Sequence, residues 1–373
     1  MKNKITIYPN IKAALEPAKP EEALTLPAAL YTDEQFLEME YQSIFENTWQ
    51  LVGHKSQLNN VGDQMVCQVG RVPIVVVRNQ ENILKAFHNV CRHRAGPVAT
   101  ENANSKILRC KYHGWSYTLD GDLKTAPEMS STPNFDVCQF HLPQASIKEW
   151  QGFIFVCVGD SPPKFEEVFA GIADTIKPID LSKMSFSHRD EYLIDCNWKV
   201  YMDNYLEGYH LPHVHPGLSK LLDYRSYDTI LHDWFSYQFS PLDGNDSESN
   251  FYGEGHAHYY CIYPNLMLNI LPGRLQTNVI LPAEGNQTRI IFDYYYEGIG
   301  SENTEKLIQQ DTDFSDEIQE EDIQICQRVQ QGLNSGSYQA GRLCMKRETG
   351  VLHFQNLVRQ SLRQCINDSN QNN

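Results

Sequence analysis

Residues 91–113 constrain this chain more than any other stretch. They read Cys91-Arg92-His93, sixteen further residues, then Cys110-Lys111-Tyr112-His113. Each short loop supplies one thiolate and one imidazole. A tetrahedral structural zinc site takes these four ligands. A [2Fe–2S] cluster takes them too, with both sulfurs on one iron and both imidazoles on the other. Either centre needs the two loops side by side at one end of a small scaffold, which hairpin tips provide. The flanking pattern agrees. Segments 64–69 and 73–78 are rich in β-formers around Gly70-Arg71, and 83–90 leads into Cys91. A hairpin is predicted around Asp120-Gly121, between 115–119 and a strand starting at Leu123. Segment 153–158 reads as a buried strand, so an all-β domain is expected over about 46–160.

With 373 residues, the chain has room for a second domain. Hydrophobic residues at 41% and charged residues at 21% suit a globular enzyme. The net charge of −16 excludes a phosphate-tracking nucleic-acid binder, which needs a basic surface. No disulfide framework is visible among the ten cysteines; Cys157 and Cys261 sit in apolar runs as buried thiols. The start carries no apolar signal segment, and no stretch reaches the roughly 20 apolar residues of a membrane helix. A reducing, cytoplasmic setting with no membrane or nucleic-acid partner is expected.

The second informative stretch is 197–218, NWKVYMDNYLEGYHLPHVHPGL. A helix is predicted over 198–210, with Trp198, Met202, Tyr205 and Tyr209 near one face and Pro212 and Pro216 ending it. His210 and His215 are too far apart in register to share a face of one helix, but a break at Pro212 lets the second swing back. Two histidines and one carboxylate form the facial triad of non-haem Fe(II) oxygenases, leaving positions for O2 and substrate. Asp322 is the candidate carboxylate: it falls within an apolar stripe, Ile318, Ile325 and Val329, of a helix expected over 315–333. Asp316, Glu317, Glu320 and Glu321 read as a solvated acidic face. His213 is a rival to His215. Glu207 lies one turn before His210 on the same face. Strands are expected at 183–195, 230–239, 258–271, 275–282 and 288–297, the last pair joined by a turn at Glu284-Gly285-Asn286. A polar loop is expected at 243–250. A capping box, Thr32 with Gln35, is expected to start a helix running to about Phe45 with Leu37, Tyr41, Ile44 and Phe45 on its packed face.

The paired Cys-x-His and Cys-x-x-His loops, with Arg94, Gly96, Gly114 and Trp115 around them, resemble the cluster loops of the Rieske oxygenase family. NWK…DNYLEGYH-x4-H resembles the iron-binding segment of its α-subunits. The likeness continues through YPNLMLN, LQTNVILP, FDYYYE and EEDIQICQRVQQGL to about residue 360. Within the family it runs closest to the choline-, carnitine- and betaine-oxidising members. The resemblance implies a [2Fe–2S] cluster on Cys91, His93, Cys110 and His113, and a mononuclear Fe(II) on His210, His215 and Asp322. It implies Glu207 and Asn204 as catalytic residues, with Glu207 bridging a cluster histidine of one subunit to the iron site of its neighbour. Many ring-hydroxylating members carry Asp at that place; this chain carries Glu.

The implied fold is α+β. A Rieske domain over 46–160 precedes a catalytic domain over 161–366 in which antiparallel sheet packs with helices, a helix-grip of the Bet v 1 kind. Residues 1–45 form a lead-in and helix packing on the catalytic domain, and 367–373 a disordered tail. Function follows from the two centres together. A cluster moves single electrons and has no substrate position; a facial triad binds O2 but stores no electrons. The pair makes an oxygenase fed by NAD(P)H through a separate flavin or ferredoxin-type reductase, because no GxGxxG opening a βαβ unit occurs in the chain. A homotrimer is implied, as is a small quaternary ammonium substrate. Such a cation suits aromatic walls, for which Trp234, Tyr259, Tyr260, Tyr263, Tyr294, Tyr295 and Tyr296 are candidates, with Tyr205 and Tyr209 beside the iron. Three alternatives stay open: an aromatic ring-hydroxylating dioxygenase, a Rieske electron carrier without oxygenase activity, and a zinc-stabilised binding protein.

Overall fold

The computed structural model describes residues 9–221, 228–242 and 255–371, so the polar loop expected at 243–250 lies outside the described residues. The chain forms two compact units, Phe45–Phe165 and Met1–Ile44 with Glu166–Asn373. The architecture is mixed helix and sheet, a β-rich unit and a unit built on an antiparallel sheet, in keeping with the expected fold class.

In the first unit a seven-stranded antiparallel sheet carries a separate three-stranded sheet formed by Leu108–Arg109, Ser116–Tyr117 and Leu123–Thr125. The strand Val72–Arg78 explains its unbroken run of valines. Val75 and Val77 enter a core with Phe87, Leu108, Trp115 and Tyr117. Ile74 and Val76 enter a different core with Met65, Ile154 and Val156. A strand covered on both faces has no solvent side to make polar, so its pattern is a run rather than an alternation. Cys91 and Cys110 belong to the first of these cores, which anchors the cluster loops. At the Asp120-Gly121 hairpin, Gly121 has φ +87° and a Cβ there would lie 2.6 Å from the Phe87 ring. The turn therefore excludes other residues on two counts.

The second unit is built on a seven-stranded antiparallel sheet, ordered Ser185–Ile194, Thr288–Tyr296, Arg274–Pro282, Leu266–Leu271, Gly255–Ile262, Phe235–Leu242, Asp228–Leu231. Two of the expected strands are hairpins: 230–239 divides at residues 232–234, and 258–271 turns at Tyr263-Pro264-Asn265. Both read as single runs because the turns carry aromatic residues instead of glycine.

Helix boundaries depart further from expectation. The helix expected to run to about Phe45 does so, as Glu34–Glu40 followed directly by a π-helical turn over Tyr41–Phe45, but its cap is Asp33, whose carboxylate accepts from the Gln35 N–H at 2.9 Å. Thr32 closes the preceding turn instead, and Phe36, Met39 and Ile44 are buried where Leu37 is only half so. The helix expected over 198–210 stops at Tyr205, and Pro212 sits in the first turn of a new helix, Leu211–Val214. Proline suits that position because its missing N–H would have no partner there. The helix expected over 315–333 runs from Glu302 to Asn334, with Ser301 as cap. Its first half is too polar to show an apolar period. The last helix, Thr349–Gln371, includes Asn367, where a disordered tail was expected. A formed helix extends at little cost per residue even through polar side chains.

One buried charge pair positions the helix Trp198–Tyr205. Glu40 and Lys199 are both fully buried, Nζ to Oε1 2.6 Å, and Trp198 Nε1 donates to the other Glu40 oxygen at 2.7 Å. Burial raises the Glu40 pKa and lowers that of Lys199, and each charge offsets the other. Removing one partner of such a pair costs about 3–5 kcal/mol, so this helix is held in register from its far side. No helix among the described residues is long and apolar enough to cross a membrane.

Candidate metal centres

The loops around residues 91–113 close on themselves through backbone bonds. Cys91 N–H donates to Gly96 O at 2.8 Å, Cys110 N–H to Trp115 O at 2.9 Å and Gly114 N–H to Cys110 O at 3.0 Å. Gly96 is confined by its neighbour: a Cβ would lie 3.0 Å from Cys110 Sγ. The His93 and His113 rings are 4.6 Å apart, and Trp115 stacks on His93 at 4.9 Å. Burial raises the Cys110 pKa, and the neighbouring Cys91 adds to it. Among the described residues only His210, His215 and Asp322 converge as three candidate ligands for one ion. The loop residues instead come as a thiol pair and an imidazole pair. A single tetrahedral zinc needs all four at one point, whereas two irons need them in pairs. The donor set fits the cluster. Tyr117 was not foreseen: its hydroxyl lies 3.3 Å from Cys91 Sγ and accepts from the Arg92 N–H at 2.9 Å. A hydrogen bond to a ligating sulfur is one of the terms that set a cluster's potential.

At the second centre, ligand atoms of His210, His215 and Asp322 lie within 4.8 Å of one another. His210 caps the short helix Leu211–Val214 and His215 follows its last turn, so the histidines are brought together by a turn and a new helix. His213 is exposed and points elsewhere. Each ligating ring is held from behind. His210 Nδ1 is 2.7 Å from Glu207 Oε1, and His215 Nδ1 is 2.7 Å from Glu321 Oε2. A carboxylate at Nδ1 keeps the proton there and leaves Nε2 as the ligand atom. His215 Nε2 faces Asp322 Oδ1 at 3.0 Å. Burial works against a charged His215, but Asp322 and Glu321 outweigh it and raise its pKa. Asn204 donates to Asp322 Oδ1 at 2.6 Å. Two imidazoles and one carboxylate, each with an outer partner, fit a mononuclear iron with open positions.

Several site expectations change. Glu321 is not on a solvated face; it is half-buried and orients His215. Glu207 directs both oxygens inward, Oε1 to His210 Nδ1 and Oε2 to the backbone N–H groups of Tyr209 and His210. The inner face of Glu302–Asn334 is more polar than expected: Asp311, Gln319, Cys326 and Gln330 are buried along with Leu333, while Val329 is exposed. Those side chains bond across to the facing elements, as Gln319 does with the Tyr201 hydroxyl at 2.6 Å. Sequence hydropathy has no signal for a buried face made of amides.

A cavity of about 150 Å³ opens beside the triad. Tyr201, Tyr205, Tyr259, Phe292 and Phe314 contribute aromatic walls. Of the other aromatics expected there, Tyr260, Tyr263, Tyr294, Tyr295 and Tyr296 are buried in packing, Trp234 does not line the cavity, and Tyr209 is half exposed. The sheet contributes amides to the cavity, Gln238, Asn269, Gln276 and Asn278, interspersed with the apolar Leu242, Tyr259, Leu271 and Phe292.

Residues 48–136 match the Rieske [2Fe-2S] domain family, and residues 181–364 the ring hydroxylating alpha subunit (catalytic domain) family. The chloroplastic choline monooxygenase of Arabidopsis thaliana is 33% identical over 92% of this chain and 84% of its own length. The carnitine monooxygenase oxygenase subunit of Escherichia coli K12 is 29% identical over 92% of this chain and 95% of its own. A quaternary ammonium Rieske monooxygenase solved with L-carnitine superposes with TM-score 0.81 at 26% identity, covering 96% of this chain and 99% of that one. A naphthalene 1,2-dioxygenase, at 16% identity and TM-score 0.74 over 97% of this chain and 98% of that one, shares the fold.

Proposed function

We infer the function from one premise: this chain belongs to the Rieske ring-hydroxylating oxygenase α-subunit family, as an oxidoreductase with a [2Fe–2S] cluster and a mononuclear iron. As an oxygenase component it depends on a reductase for electrons. We propose that it inserts one oxygen atom of O2 into a small quaternary ammonium compound, with NAD(P)H supplying two electrons and the second oxygen leaving as water. The relatives that cover nearly the whole chain are monooxygenases of choline and carnitine. Hydroxylation of an N-methyl group releases formaldehyde; hydroxylation of an alcohol carbon gives an aldehyde. The amides set among the apolar lining favour a ligand with polar groups of its own over a bare aromatic hydrocarbon.

The cluster supplies single-electron storage and the mononuclear iron a place for O2 beside the substrate. The chain's residues do the rest. Cys91 and Cys110, with His93 and His113, are proposed as cluster ligands; His210, His215 and Asp322 as iron ligands. Glu321 and Glu207 hold the imidazole tautomers, and Asn204 fixes the Asp322 carboxylate. Tyr205, Tyr259 and Phe314 offer π faces to a cation. Glu207 is proposed as the link towards the cluster of a neighbouring subunit in a trimer, supported by its contact with His210. A flavin or ferredoxin-type reductase is the proposed electron source.

The convergence of His210, His215 and Asp322 at the mouth of a cavity carries this reading, because an electron carrier needs neither. The test is NADH consumption and aldehyde release with a surrogate reductase, using trimethylammonium and aromatic compounds. Coupled oxidation of a trimethylammonium compound is expected. Oxidation of aromatics alone, zinc alone in the purified protein, or a cluster with no further iron per subunit, overturns it.

A further inference from the structure

The segment carrying Asn204, Glu207 and His210 is backed by the last helix, Thr349–Gln371. Two contacts bracket its start. Gln355, fully buried, donates through Nε2 to Asp203 Oδ2 at 3.0 Å. Five residues earlier, Gly350 lies against the carbonyl of Leu206: a Cβ there would stand 2.6 Å from Leu206 O and 3.7 Å from its Cδ2. Asn204, which donates to Asp322, sits between the two points, and Glu207 follows the second directly.

Glycine is a poor helix former, and at position 350 the close approach accounts for it. The obstacle is backbone rather than the end of a flexible side chain. Ordinary contact begins at 3.4 Å, so a methyl group would part the two chains by 0.8 Å. Leu206 caps the helix Trp198–Tyr205 and is buried, in packed surroundings with little room to give. Glu207 Oε1 meets His210 Nδ1 at 2.7 Å, and Oε2 accepts from the His210 N–H at 3.1 Å. A displacement of that size takes such bonds to the limit of hydrogen bonding. The seat also works against a repulsion. Burial raises the pKa of Glu348, two residues before Gly350, and the nearby Glu207 charge adds to it.

We propose that Gly350 is a positioning residue. By carrying no side chain it lets the last helix seat the Leu206 carbonyl, and this sets the Glu207 carboxylate against His210. The assignment rests on the role of Glu207 proposed above.

The test uses the full-length protein carrying both metals. Gly350→Ala is compared with Glu207→Gln and with Gly332→Ala, whose methyl meets nothing within 4 Å. Three quantities are read: the thermal midpoint, ferrous-ion affinity by chelator competition, and the rate of cluster reoxidation in a single turnover. The last uses a trimethylammonium compound that supports wild-type turnover. Gly332→Ala is expected to match wild type in affinity and rate, with no fall in midpoint. Gly350→Ala is expected to bind ferrous ion about tenfold more weakly and to reoxidise its cluster about tenfold more slowly. Added to Glu207→Gln, it is expected to slow reoxidation less than about twofold further, because the carboxylate it displaces is already gone. A contribution to stability alone lowers the midpoint without this coupling. Glu207→Asp draws the carboxylate back without crowding the helix. It is expected to slow reoxidation as Gly350→Ala does, and it carries the test if that variant fails to fold. Wild-type affinity and rate in Gly350→Ala, a wild-type rate in Glu207→Asp, or effects that multiply in full overturn the assignment and leave the Glu207 reading standing. Normal reoxidation in Glu207→Gln overturns both.

Discussion

Glu321→Gln isolates what the carboxylate behind His215 contributes to the proposed iron site. His215 is 1% exposed, and its Nδ1 meets Glu321 Oε2 at 2.7 Å, while Glu321 itself retains 29% side-chain exposure. The amide still offers an oxygen to Nδ1–H but loses the charge, and its NH2 end competes for the same place. A hydrogen bond to a charged group contributes about 1.5–3 kcal/mol. The ring also becomes less basic at Nε2. Ferrous-ion affinity is therefore expected to fall roughly ten- to a hundredfold, with the cluster's absorption and EPR signal unchanged. Chelator competition on anaerobically prepared protein reads the affinity, and the cluster spectrum reports that the fold is intact. Glu321→Leu is expected to lose more, because the imidazole can then flip. An affinity within twofold of wild type in both variants would refute the argument that Glu321 sets the His215 tautomer.

Glu207→Gln is expected to keep both metals yet slow electron delivery to the iron, seen as a slower single-turnover cluster oxidation with substrate present; normal turnover removes its proposed role as a link. Asp203 gives a pH test. It is fully buried, accepts from the Tyr31 hydroxyl at 2.6 Å and Gln355 Nε2 at 3.0 Å, and burial raises its pKa from 3.8 to about 7. A raised carboxyl pKa stabilises the fold below pH 3.8 and loses that contribution as pH rises towards 7. The loss is of order 4 kcal/mol at most. Asp203→Asn keeps both accepted bonds, so chemical denaturation at pH 4–8 is expected to lose this downward slope; an unchanged slope refutes a protonated Asp203.

The two histidine motifs were legible because their geometry is local. Cys91-x-His93 sits in a tight turn and Cys110-x-x-His113 on a hairpin tip, and His210 and His215 are joined by four residues that Pro212 can bend, so chain connectivity alone keeps each pair close. The details of the bend were not legible: Pro212 opens a helix instead of ending one, since a proline suits both places and only the surrounding turn selects between them. Asp322 was found through a stripe whose apolar character fails at Val329, which is exposed; its carboxylate converges with His210 and His215, but the helix face was misread.

Residue types and short spacings by themselves pointed to two sets of metal-ligating side chains, one of paired thiolates and imidazoles and one of two histidines with a carboxylate. Tertiary packing alone decided which of two adjacent carboxylates meets His215 at Nε2 and which meets it at Nδ1. Glu321 and Asp322 differ by one step of a helix, about 100° of rotation, and that angle is set by Gln319, Cys326 and Gln330 lodging against the facing elements.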